Sequence, residues 1–357
     1  MKRLKTRSVL SMLFCAALLM TMALPSGAGT VKIEKISFKG WDKCYRISNG
    51  EVELIAVADI GPRLLRYGFI GGKNLLCITN ETAGVVGGDE WNSFGGHRLW
   101  VAPETSDITY YQDNYEIDAK INGNTLLLTS PIEILDDSLR KTMSQEDIDQ
   151  KANDPEFRKK LRFRKEMEIT MEDNGEITLM HRITNCGLKT YKLAPWVLTV
   201  METGGICVSP NPKYAPHGPE HWLPERALIT WSYTDMVDPR LKLMKKYITI
   251  QQDKNNSVKF KLGLSYTQNW VAYALDEALF VKNLDYFEGA EYPDMGCSVE
   301  IFTNNEMMEV ESIGPLVQLK PGDMTSHRER WKLMKIKPIT QDEASIDKML
   351  ESVEVKF

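Results

Sequence analysis

The stretch that decides the fold runs from Tyr292 to Trp331, YPDMGCSVEIFTNNEMMEVESIGPLVQLKPGDMTSHRERW. It divides into three strand signals joined by tight turns. Cys297 to Phe302 alternates small or apolar residues with polar ones and sets Glu300 inside an apolar run. Taking an isolated carboxylate out of water costs several kcal/mol, so Glu300 either lies on a wet face or is held at a site. Met307 to Ser312 puts Met308 and Val310 on one side and Glu309 and Glu311 on the other, with period two. Pro321, Gly322 and Asp323 make a turn, and His327 to Leu333 closes the set. The pattern predicts one wall of a binding groove.

The same signals recur upstream. Val31 to Gly50 predicts a strand pair around Trp41, Glu51 to Val57 a strong strand, and Arg63 to Phe69 its partner. Thr125 to Thr129 and Ile132 to Leu135 are further short strands. Leu161 to Met171 alternates cleanly, with Leu161, Phe163, Met167, Ile169 and Met171 inward and Arg162, Arg164, Glu166, Glu168 and Thr170 outward. Asn174-Gly175 then turns the chain into Glu176 to Thr184, where His181 shares a face with Ile177, Leu179 and Ile183 and is expected to be a satisfied core or interface histidine. Leu193–Val200, Ala227–Tyr233, Tyr247–Gln251, Val258–Leu264 and Trp270–Ala274 continue the succession.

Helical signals are few. Asp136 to Lys160 is densely charged, with Ser144 and Asp154 placed as N-caps and Pro155 at a first helical position, so two short surface helices are expected. After Thr340 a helix puts Ile346, Met349, Leu350 and Val353 on one face, with Thr340 and Glu343 matching a capping box. Many strands, hairpin signals throughout and little helix define an all-β chain, a large antiparallel sandwich with short surface helices and a C-terminal helix. No linker divides residues 29–357, which are expected to form one domain.

The first 28 residues have a basic start, an apolar run from Ser8 to Leu24 and a small-residue exit, the pattern of a secretory signal peptide. Without it the chain keeps 40 basic residues against 49 acidic ones, a net charge of −9. Nucleic acid and anionic lipid need basic patches, so neither is an expected partner. No later run is apolar for long enough to span a bilayer, and an exported, periplasmic or secreted protein is expected. Five cysteines remain, with no CxxC or zinc spacing; buried free thiols are expected.

In order and spacing, NGEVELIAVADIGPRLLRYGFIGGKNLL at 49–76, ITLMHRITNCGLKTYKLAPWVLTV at 177–200, GCSVEIFTN at 296–304 and LKPGDMTSHRERWKL at 319–333 resemble the galactose mutarotase (aldose 1-epimerase) superfamily. GGHRLWVAPE at 95–104, WSYTDMVDPR at 231–240 and YPDMGCSVE at 292–300 resemble an exported branch of the mutarotase-like proteins. The resemblance implies a β-supersandwich with a sugar groove, and a partner that is a small sugar or an oligosaccharide. Mutarotases open a pyranose with a glutamate base and a histidine acid on opposite sides of the hemiacetal, and need no metal or organic cofactor.

Glu300 falls at the position of the family's glutamate, and His97 in the region of a substrate-binding histidine; these are the expected catalytic pair. Arg98 can donate to sugar hydroxyls or a carboxylate, and Trp100 can stack on a sugar ring. The family's acid histidine lies on the strand corresponding to Leu193–Val200, and here that strand holds Trp196 or Val197 in its place. Either His217 or His221 on the loop Pro210–Pro224 supplies the proton, or the chain binds sugar without mutarotation. Glu311 or Glu309 could instead pair with Glu300 as the two carboxyls of a hydrolase or lyase.

Overall fold

The computed structural model describes residues 30–266 and 268–353. The expected signal peptide at 1–28 lies outside them. Two antiparallel sheets pack face to face. The first runs, in spatial order, through Lys32–Phe38, Trp41–Ser48, Val52–Val57, Arg63–Phe69, His97–Ala102, Tyr191–Met201, Met308–Ile313, Val299–Thr303, Phe260–Leu264 and Leu228–Thr230, with Val317–Leu319 paired beside Tyr191–Met201. The second runs through Leu241–Leu243, Tyr247–Gln251, Ile206–Pro210, Trp270–Leu275, Ala278–Leu284, Met324–Lys335, Ile177–Asn185, Phe163–Met171, Thr125–Thr129 and Asp118–Asn122.

The core lies between the sheets, because each strand alternates one apolar face toward the other sheet. Leu54, Leu262, Ile301 and Val310 from the first sheet meet Leu128, Met167, Phe280 and Trp331 from the second. The second sheet buries its other face too. There the C-terminal helix Glu343–Ser352 sets Ile346 and Met349 against Val208, Ala272 and Val281, as its apolar spacing predicts. Its N-cap is Asp342, whose carboxylate accepts from the Ser345 backbone N–H, so the Thr340–Glu343 capping box does not form.

Several boundaries depart from expectation. The stretch from Tyr292 holds four strands, since Val317–Leu319 intervenes before the Pro321–Gly322 turn. Ile132–Leu135 forms only an isolated bridge, Ile134 to Leu161. The charged insertion carries three short helices, Asp137–Thr142, Gln145–Lys151 and Pro155–Arg158, capped in turn by Asp136, Ser144 and Asp154. Arg162 is not outward but buried, its Nε 2.7 Å from Glu133 Oε2. Five cysteines are free among the described residues: Cys44, Cys207 and Cys297 are buried, Cys77 and Cys186 half-buried. No helix among the described residues is long and apolar enough to cross a membrane.

Candidate functional site

The outer face of the first sheet carries the site. The Gly95-Gly96 pair, with φ of +72° and +70°, delivers the chain into strand His97–Ala102. A Cβ on Gly96 would stand 2.1 Å from the Leu64 carbonyl oxygen, so only glycine lets the backbones approach here. From that point parity decides everything. His97, Leu99 and Val101 face the core between the sheets, and Arg98, Trp100 and Ala102 face outward. Tyr191–Met201 is in register with it, Trp196 opposite Trp100 and Thr199 opposite His97. On the far side Glu311 pairs with both Leu198 and Glu300, and Gly263 also pairs with Glu300.

These outward side chains enclose a cavity of about 420 Å³, lined among others by Trp91, Arg98, Trp100, Trp196, Lys261 and Glu311. Arg98 lies 4.3 Å above the Trp100 ring centroid and donates through Nη2 to Glu309 Oε1 over 3.0 Å. Trp196 Nε1 donates to Glu311 Oε2 over 2.7 Å. Lys261 Nζ stands 3.2 Å from the same Glu311 oxygen and 2.6 Å from Glu300 Oε2, between the rings of Trp196 and Trp231. Trp91, Trp100, Tyr110 and Trp196 meet edge to face around the rim. Four buried polar atoms of the lining have no hydrogen-bond partner among the described residues: Arg98 Nε and Nη1, Trp91 Nε1 and Glu311 Oε1. A larger cleft of about 560 Å³ beside Gln252 and Asp276 is lined by no aromatic side chain.

Glu300 points toward this face but is wholly covered. Burial, reinforced by the neighbouring Glu311 carboxylate, pushes its carboxyl up to about 9, against the pull of Lys261. It is therefore protonated at neutral pH. Burial likewise raises Glu309, opposed by Arg98. Burial opposes the charge on Lys261, and the Glu311 carboxylate outweighs it and keeps the ammonium protonated.

The structure brings together Arg98, Trp100, Trp196 and Glu311, with Glu300 directly behind Lys261. It does not bring His97 to them. His97 is on the inner face, its Nε2 2.9 Å from His181 Nε2, so the expected pairing of His97 with Glu300 across one hollow is corrected. The reason is the period of a strand: GGHRLWVAPE enters a strand, and its odd and even residues part to opposite surfaces. His217 and His221 are exposed on the segment before Leu228–Thr230 and do not line the cavity. His221 Nδ1 faces Glu225 at 3.5 Å. Lys261 was missed, although FKLGL at 260–264 sets a lysine inside an apolar run, the same signal that singles out Glu300. Trp91, Tyr110 and Tyr233 lie outside regular strands and left no such mark.

No protein-family model and no curated protein matches the sequence. Among solved structures, a galactose mutarotase-like protein from Lactobacillus casei superposes with a TM-score of 0.52 at 10% identity, over 81% of this chain and 99% of that one. A candidate mutarotase, YeaD from Salmonella typhimurium, superposes with a TM-score of 0.50 at 11% identity, over 86% and 94%. The chain therefore has the galactose mutarotase-like fold, as its motifs imply.

Proposed function

We propose that the outer-face cavity is a carbohydrate-binding site. The observation that carries this reading is the set of buried orphan atoms in one tryptophan-walled hollow: N–H donors on Arg98 and Trp91 beside a carboxylate oxygen on Glu311. Buried polar atoms are almost always paired in native structures. A ligand whose every hydroxyl both donates and accepts, and whose C–H faces suit indole rings, satisfies such a set. The volume is also within the range of small-ligand pockets, roughly 300–1,000 Å³. The names of the two fold relatives, galactose mutarotase-like and mutarotase, point the same way. Saturation-transfer-difference NMR over neutral and acidic mono- and oligosaccharides tests the reading. Saturable binding that is lost in Trp100→Ala supports it; no binding anywhere in the panel ends it.

A second reading, acid–base opening of a sugar hemiacetal, is favoured by the protonated Glu300 carboxyl, linked through Lys261 to groove-facing Glu311. A carboxyl that holds its proton at neutral pH is suited to general-acid work. Glu300 has no surface of its own in the cavity, so it would act through its neighbours. Accelerated anomer exchange that vanishes in Glu300→Gln would establish this chemistry, and binding without exchange would exclude it.

A further inference from the structure

Directly beneath the groove, between the sheets, lies a second cluster that the binding reading does not use. His97, Thr199 and Ser312 come from the first sheet; His181, Lys282, His327 and Glu329 come from the second. All seven are at most 2% exposed.

Its hydrogen bonds admit a single arrangement of protons. His181 Nδ1 faces the His327 carbonyl oxygen at 3.1 Å, and a carbonyl only accepts, so Nδ1 carries the hydrogen. In a neutral ring His181 Nε2 is then an acceptor. His97 Nε2 must donate to it across 2.9 Å, leaving His97 Nδ1 to accept from the Thr199 hydroxyl, also at 2.9 Å. The Thr199 oxygen in turn accepts from Lys282 Nζ at 2.6 Å. Lys282 spends its other two hydrogens on the Val310 carbonyl and on Glu329 Oε1. Ser312 donates to Glu329 Oε1, so His327 Nε2 donates to the Ser312 oxygen over 2.8 Å. Trp331 Nε1 donates to Glu329 Oε2.

The charge balance agrees with this reading. Lys282 and Glu329 cancel, and the three imidazoles are neutral. The nearest ligating atoms of His97, His181 and Glu329 lie within 4.8 Å of one another. A divalent ion there would take the place of the His97–His181 hydrogen bond and sit beside the Lys282 ammonium. Hydrogen bonds account for the spacing without it.

We propose that this network is an acid-sensitive latch, clamping the two sheets together beneath the groove while its three imidazoles are neutral and releasing them when any one is protonated. A proton on His181 Nε2 would force the His97 hydrogen from Nε2 to Nδ1. A proton on His97 Nδ1 would turn that bond round, so that the Thr199 oxygen accepts from both His97 and Lys282 and the hydroxyl hydrogen loses its acceptor. A proton on His327 Nδ1 would add a second positive charge to the cluster beside Lys282. The one anion, Glu329, is already engaged by Lys282, Ser312 and Trp331. The other charges around the cluster are Arg98 and Glu311 on the far side of the first sheet, Arg182 beside His181 and Asp285 beside His327. Burial, the largest influence, holds His181 and His327 down to about 4 from 6.5 and holds His97 well below 6.5. With folded values depressed, stability is full above pH 6.5 and is lost as pH falls from there toward 4. The strands that hold the latch also carry the groove: His97 adjoins Arg98, Thr199 adjoins Leu198, and Ser312 adjoins Glu311. Release therefore dismantles the cavity.

The test is nitrogen-15 NMR of histidine-labelled protein across pH 7 to 3, alongside circular dichroism and tryptophan fluorescence. At pH 7, His181 should be the Nδ1–H tautomer and His97 and His327 the Nε2–H tautomers. All three should take up protons in the same transition that abolishes sheet signal and changes tryptophan emission. His327→Gln, which keeps a donor to Ser312 and cannot ionise, should unfold at lower pH with a shallower pH dependence, by one proton fewer. Any of the three titrating near 6.5 with the sheets intact would overturn the proposal, as would a different tautomer set. The wild-type spectra decide the matter even where the variant does not fold.

Discussion

Trp196 and Glu311 stand 115 residues apart in the chain and meet in a 2.7 Å hydrogen bond inside the groove. The indole N–H thereby holds one carboxylate oxygen, Lys261 holds the same oxygen from the other side, and the second oxygen has no hydrogen-bond partner among the described residues. Strand Tyr191–Met201 thus presents to the cavity an indole ring and a hydrogen-bond donor.

Removing the indole donor is the direct probe of that relationship. Trp196→Phe keeps the ring and deletes one charge-assisted bond to a buried carboxylate, which is worth about 1.5–3 kcal/mol. Urea unfolding should read a loss of that size, together with weakened saccharide binding. Unchanged stability would mean that Lys261 alone sustains Glu311.

Arg98 and Glu309 are a buried pair whose partners are 4% and 14% exposed. Arg98→Ala leaves the carboxylate uncompensated and should cost about 3 kcal/mol. Arg98→Lys keeps the charge but forfeits the planar contact with Trp100, and should fall between. Thermal unfolding of the three proteins would show the order; a lysine variant below alanine would contradict it.

Glu300→Gln has a pH signature. The folded carboxyl is raised to about 9 from an ordinary 4.5, so its contribution is full below pH 4.5 and is lost as pH rises through 9. Glutamine imitates the protonated acid. Chemical unfolding should find the variant more stable than wild type, by a margin that grows from pH 7 to pH 9. A variant that loses to wild type increasingly at alkaline pH would show that Glu300 is ionised in the folded protein.

Gly96→Ala tests the entry to the site strand. Its positive φ and the 2.1 Å approach to Leu64 oppose any side chain. Strain of this kind costs roughly 1–3 kcal/mol before the clash is counted. A fall in thermal midpoint with loss of saccharide binding is expected, because His97 and Arg98 would both be displaced. An undisturbed midpoint would show that the neighbouring strand can yield.

Much of the fold was legible because strand periodicity is local. Phe163–Met171 alternates residue by residue as its sequence does, and Arg63–Phe69, Thr125–Thr129 and Tyr247–Gln251 begin and end where read. His181 is a satisfied core histidine, as its apolar face implied. Strands His97–Ala102 and Ala278–Leu284 escaped notice because they are uniformly or nearly uniformly buried, and a run buried on both faces shows no period two.

By itself the sequence determined the two-sheet architecture, the outward Glu309 and Glu311, and Glu300 as a carboxylate that needs a reason to be where it is. Local alternation and the cost of burying charge are enough for that. Only the tertiary structure decided that Arg98 belongs to the groove and His97 to a proton-ordered core on the other side of the same strand. Those assignments depend on which face of the sheet meets its partner, and a strand flips every side chain with a shift of one residue.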